Sequence, residues 1–169
     1  MNTEFLSKND LKKINFKSLG QNVMISKNVT LIGTNNISLG SNVRIDDYCI
    51  ISSKEGYLTI GNDVHIGGQT YLGCAGDLKI GNNTNIAQGV KIYTKINDYN
   101  SFEGNNNKYI LSKIEIGNNV IIGSNSVLIG KCIIGEGATI GALSFVKNDL
   151  RSWSVYAGNP LKFIKDRQN

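Results

Sequence analysis

Large aliphatic residues recur every six positions along much of this chain. Ile116, Ile122, Leu128, Ile134, Ile140 and Val146 follow one another without a slip. Four residues after each stand Val120, Ser126, Cys132, Ala138, Ser144 and Leu150, a series mostly small or β-branched. Glycine follows several of the aliphatics, as at Gly117, Gly123, Gly135 and Gly141. A period of six matches neither one face of a helix nor a long alternating strand. It matches a short strand and a turn, repeated, and such a unit buries its apolar side only by stacking on its neighbours. Three units close a triangular coil, aliphatics pointing inward, with parallel strands bonded from coil to coil.

Traced backward, the inward positions are Leu19, Ile25 and Leu31, then Leu39, Ile45 and Ile51. Ile60, Ile66 and Leu72 come next, followed by Ile80, Ile86 and Ile92. Every slip follows a third unit, so insertions near 33–38, 52–59, 73–79 and 93–115 should project from one corner of successive coils. The expected fold class is all-β, a parallel β-helix over 19–152 with three hexapeptides per coil and a protruding loop at 93–115. Residues 1–18 lie outside the repeat; Leu6, Leu11 and Ile14 among lysines predict a short amphipathic cap starting near Ser7 or Asn9. Residues 153–169 form a tail in which Leu161 onward reads as a final strand or a short helix.

Composition adds the turn chemistry. With 19 glycines and one proline in 169 residues, the corners must turn on glycine and asparagine. The net charge of +5 suits an anionic ligand, but no aromatic-basic interleaving points to nucleic acid. No apolar run approaches a membrane span, and the first residues have no signal-peptide core, which favours a cytoplasmic location. Cys49, Cys74 and Cys132 are too scattered for a disulfide framework, and Cys49 and Cys132 fall on small core positions. One histidine and no paired cysteines argue against a metal site, and with it against the zinc carbonic anhydrases that share this kind of repeat.

Three stretches carry a resemblance. Ile116-Gly-Asn-Asn-Val-Ile-Ile-Gly-Ser124, Ile140-Gly-Ala-Leu-Ser-Phe-Val146 and Val155-Tyr-Ala-Gly-Asn-Pro-Leu-Lys162 resemble the hexapeptide-repeat acyltransferases. The last looks like that family's Val-x-Ala-Gly-x-Pro-Ala-Lys signature. The nearest look is to the galactoside and maltose acetyltransferase branch and to acetyltransferases of bacterial surface polysaccharides. The resemblance covers roughly residues 19–165 and implies a left-handed β-helix, a homotrimer, and acetyl-CoA in a groove between subunits. It implies cofactor contacts from Ser124, Ala142, Lys147 and Asn148, with Lys162 and Lys165 facing the phosphates. The acceptor would be a small carbohydrate or a polysaccharide precursor beside the 93–115 loop, lined by Tyr93, Tyr99 and Phe102.

One position departs from the family. The loop usually carries a Ser-His-Asp-like stretch whose histidine takes the proton of the acceptor hydroxyl, because a sugar hydroxyl is a poor nucleophile at neutral pH. Here the stretch is Thr94-Lys-Ile-Asn-Asp-Tyr99, and Asn97 stands where the histidine would. An amide cannot act as a general base. Four readings stay open: an inactivating substitution, an amine acceptor that needs no protein base, another base such as Asp98, or loss of activity. The only histidine, His65, lies between Val64 and Ile66, so alternation points it outward, far from Asn97 within one subunit; as a candidate catalytic residue it would have to approach Asn97 across a trimer groove. The leading expectation is O-acetyl transfer to a sugar. Amino-sugar N-acetyl transfer and a non-catalytic binding β-helix are the alternatives.

Overall fold

The structure, a computed structural model, describes residues 4–98 and 108–167. The described residues wind through six coils, at 18–32, 37–52, 58–73, 78–93, 114–129 and 132–146. Each coil gives one strand to each of three parallel sheets, here called the first, second and third face in chain order. The architecture is a parallel β-helix, consistent with the left-handed form that the resemblance implies.

The register follows the six-residue period. On the first face Leu19, Leu39, Ile60, Ile80, Ile116 and Ile134 stack coil upon coil. On the second, Ile25, Ile45, Ile66, Ile86, Ile122 and Ile140 do the same. On the third the stack is Leu31, Ile51, Leu72, Ile92, Leu128 and Val146. In the middle coils these side chains are closed to solvent, whereas Leu19 at the open end is 37% exposed. A helix, Lys8–Lys13, lies at that end with Ser7 as its N-cap; Ser7 and Asp10 form a capping box, and Leu11 is buried. At the other end Lys162–Asp166 is a strand, paired antiparallel with Ser154–Ala157, and not a helix.

Corners explain the asparagine and glycine content. Asn22, Asn42, Asp63, Asn83 and Asn119 share one corner with positive φ, and Gly137 takes that place in the sixth coil. Their side chains ladder: Asn22 donates to Asn42 at 3.2 Å, and Asn42 to Asp63 at 2.8 Å. Beside them Asn62, Asn82 and Asn118 accept from the backbone of the preceding coil at 2.8–2.9 Å. The glycine after the inward aliphatic of the first face is a matter of space. A Cβ on Gly81 would lie 2.5 Å from the Gly117 carbonyl carbon in the next coil.

All three cysteines are free and buried. Burial pushes the thiols of Cys74 and Cys132 up to about 12 and also raises that of Cys49, so they sit as small apolar groups and not as nucleophiles. Among the described residues no helix is long and apolar enough to cross a membrane, and no group of three His, Cys, Asp or Glu could hold a metal ion.

Candidate active site

The insertions leave the helix at the corner between the third and first faces. The longest begins with a two-stranded ribbon rather than a loop: Lys95–Asn97 pairs antiparallel with Tyr109–Leu111, with Asn97 opposite Tyr109. Its root is a buried hydroxyl. Thr94 Oγ1 donates to the Gly73 carbonyl at 2.9 Å and accepts from the Gly76 amide at 2.8 Å, while Ser112 N donates to the Thr94 carbonyl at 2.7 Å. The ribbon is thereby tied to the insertion of the coil before it.

A cavity of about 340 Å³ opens where ribbon and coils meet. Its floor is one in-register row of the third face, Ser52, Gly73 and Tyr93. Tyr71 lies beside that row, its ring centroid 5.2 Å from that of Tyr93 at an interplanar angle of 35°. Strand alternation turns Lys95 and Asn97 to the same side of the ribbon, and both line the cavity. Lys95 Nζ lies 3.6 Å from Glu55 of an earlier insertion and 4.2 Å from the centre of the Tyr109 ring. Tyr93, expected to line the acceptor, and Asn97, at the expected histidine position, therefore face one cavity. Asp98 follows on the ribbon, its amide donating to the Lys108 carbonyl at 2.8 Å. Tyr99 and Phe102 lie outside the described residues.

The residues expected to meet the cofactor occupy the last coils. Lys147 and Asn148 line a second cavity of about 260 Å³ with Phe145, Pro160 and Leu161. It stands at the same corner as the ribbon, two coils further on, a separation of roughly 10 Å at ordinary strand spacing. Ser124 and Ala142 sit at the corner between second and third faces. There the coils approach closely: a Cβ on Gly123 would lie 2.4 Å from the Ala142 nitrogen. Gly158 of the tail locks onto this end, its amide donating to Ser144 Oγ at 3.0 Å and its carbonyl accepting from Phe145 N at 3.2 Å. Lys162 and Lys165 project from the exposed tail strand.

His65 is elsewhere, outward on the second face, with Arg44 and Asn85 as strand neighbours. Its Nε2 lies 2.7 Å from Asp46 and its Nδ1 lies 3.2 Å from Asn85, so both ring nitrogens are engaged within the subunit. Arg44 Nε donates to the other Asp46 oxygen at 2.7 Å. Burial pushes the Asp46 carboxyl up, but the hydrogen bonds from His65 and Arg44 outweigh it and hold the carboxyl below its ordinary range. A depressed carboxyl stabilises the fold above its unfolded pKa of about 4, and that contribution is lost as pH falls through the folded value. The urea midpoint should therefore fall as the pH drops below about 4, and Asp46→Asn should be less stable at pH 7 while flattening that acid limb.

Comparison with known proteins gives these cavities a context. A family model described as bacterial transferase hexapeptide (six repeats) matches residues 106–148. The dTDP-4-amino-4,6-dideoxy-D-glucose acyltransferase of Escherichia coli is 39% identical over 171 residues, covering 96% of this chain and 88% of its own. The chain belongs to the hexapeptide-repeat acyltransferases. AntD, an N-acyltransferase from Bacillus cereus solved in complex with dTDP and 3-hydroxybutyryl-CoA, superimposes with a TM-score of 0.90 at 37% identity, over 99% of this chain and 92% of its own. The galactoside O-acetyltransferase of Escherichia coli K12 is 33% identical over 116 residues, 65% of this chain and 57% of its own. This acyltransferase is thus an enzyme, and the non-catalytic reading falls away.

The cavity walls from earlier coils, Tyr71, Glu55 and Ser52, were not among the expected site residues. A signal for Ser52 existed. If every insertion leaves by one corner, the residues just before each insertion must share a row.

Proposed function

We propose that this acyltransferase moves an acyl group from a CoA thioester to the amine of a nucleotide-linked amino sugar. The observation that carries the reading is Asn97 in the wall of the acceptor cavity, where hydroxyl chemistry would want an imidazole. An unprotonated amine attacks the thioester carbonyl without a base, because its pKa is within about two units of neutral. The tetrahedral intermediate expels the CoA thiolate, and the proton leaving the nitrogen passes to that sulfur. Amide and free thiol result, and the atoms balance. Asn97 is suited to orienting the nucleophile by hydrogen bonds. The amino-sugar relatives, alike over nearly the whole chain, support N-transfer over the O-transfer first expected; the galactoside relative is alike over less of it.

The donor would lie toward the last coils, with its phosphates near Lys147, Lys162 and Lys165, and the active unit would be a homotrimer. Ile32 and Ile50, each at least 41% exposed on the third face, offer apolar surface for such packing.

Thiol release from acetyl-CoA and 3-hydroxybutyryl-CoA tests the reading, with a dTDP-linked amino sugar and its hydroxyl analogue as acceptors. Turnover is expected with the amine. Asn97→His should bring no gain in amide formation, whereas a site awaiting its base would gain about 10²–10⁴-fold.

A further inference from the structure

We infer that the corner cavity holds the nucleoside diphosphate of the acceptor, the base on Tyr71 and Tyr93 and the diphosphate on Lys95. This rests on the acceptor being nucleotide-linked, as proposed above.

The aromatic wall is built for a flat ligand. A Cβ on Gly73 would lie 2.7 Å from Tyr71 Cε1 and 3.1 Å from its hydroxyl, so the absent side chain is what lets the Tyr71 ring lie along the sheet. Tyr93, the register partner of Gly73, continues the surface. Tyr93 is 37% exposed, and Tyr71 is half-buried, so aromatic surface remains for a ligand. Nucleobases stack on such rings with little sequence preference, and removing one ring costs roughly five- to 150-fold in affinity.

The cation is aimed as well. Lys95 and Asn97 share one side of the ribbon, so an anion on Lys95 places the attached sugar beside Asn97, about 7 Å along the strand. Glu55 and the Tyr109 ring hold the ammonium over the cavity. The cavity holds Lys54 and Lys95 against the single carboxylate of Glu55. Glu55 is 55% exposed, so its pairing with Lys95 is screened by water and is easily exchanged for a diphosphate. At about 340 Å³ the cavity is of the size expected for a small ligand.

The competing idea is that Lys95 and Glu55 only fasten the ribbon. The two roles give opposite signs. As a phosphate ligand, Lys95→Met weakens dTDP binding by about tenfold or more, while Glu55→Gln tightens it by removing a competitor. As a latch, both substitutions weaken it. Titration calorimetry with dTDP and with thymidine, in the presence of CoA, separates them. Tyr71→Leu should weaken both probes, Tyr71→Phe should restore them, and Lys95→Met should weaken dTDP alone. Affinity for dTDP should also fall with salt. Gly73→Ala, which displaces only the outer edge of the Tyr71 ring, should mimic Tyr71→Leu in a chain that melts normally. The inference is overturned if wild type binds no dTDP, if Tyr71→Leu and Lys95→Met bind it as wild type does, or if Glu55→Gln weakens it. Amide formation by wild type alongside any of these results leaves the acyl-transfer reading standing. Absence of thiol release with every amino-sugar acceptor removes that reading instead.

Discussion

Replacing Ile86 by alanine is expected to lower the unfolding free energy by about 2–5 kcal/mol. Ile86 is fully buried, and it is stacked between Ile66 and Ile122. The space it leaves cannot close. The coils above and below are held at fixed spacing by backbone bonds, Gly67 N to the Ile86 carbonyl at 2.8 Å and Ala87 N to the Ile122 carbonyl at 2.9 Å. At this chain length the loss should appear as a melting temperature lower by about 4–20 °C. Leu19→Ala, at the open end where the leucine is already 37% exposed, should cost less than about 1 kcal/mol. Equal losses at the two sites in thermal or urea melts would contradict a continuous filled interior.

The second large effect should fall on activity. A Cβ on Gly76 would lie 2.0 Å from the Ser112 carbonyl oxygen, where the returning arm of the ribbon rejoins the helix. Either that arm or the 74–77 turn must move. Thr94 holds both, through the Gly76 amide and through Ser112 N, so a shift on either side moves the root of the ribbon. Shifting it carries Tyr109, and with it the ring over Lys95 and the strand opposite Asn97. Misplacement by about 1 Å at a reacting centre costs on the order of 10²-fold in kcat/KM. The stacked coils do not pass through this contact, so the melting temperature of Gly76→Ala should stay close to that of the wild type. Gly81→Ala, which meets the backbone of the next coil, should instead lower stability. Full activity in Gly76→Ala would show that the ribbon does not shape the site.

Much of this architecture was legible in the aliphatic spacing, for a physical reason. Each hexapeptide has one place for a large side chain in a narrow interior, so Ile60, Ile80 and Ile116 had to align. The corner of the insertions followed from the slips alone. The ribbon did not. Lys95–Asn97 and Tyr109–Leu111 are too short to show a period, and what roots them, the Thr94 hydroxyl, bonds residues 18–21 positions away. For His65 alternation predicted the outward direction, but Asp46, its partner, is a coil away and was not foreseen. Tyr71 was missed because its role depends on what glycine at 73 omits. Asn97 was singled out by its departure from a family pattern, and the structure puts it in the lining of the corner cavity.

The central claim is that an amine, not a hydroxyl activated by the protein, attacks the thioester. The pH dependence of kcat/KM in the thiol-release assay tests it most directly. With a dTDP-linked amino sugar, the rate should climb with pH until the amine is unprotonated, near its own pKa, and the product should be an amide. Asn97→His should leave that profile where it is. Turnover confined to the hydroxyl analogue, with an ester as product, would contradict the account.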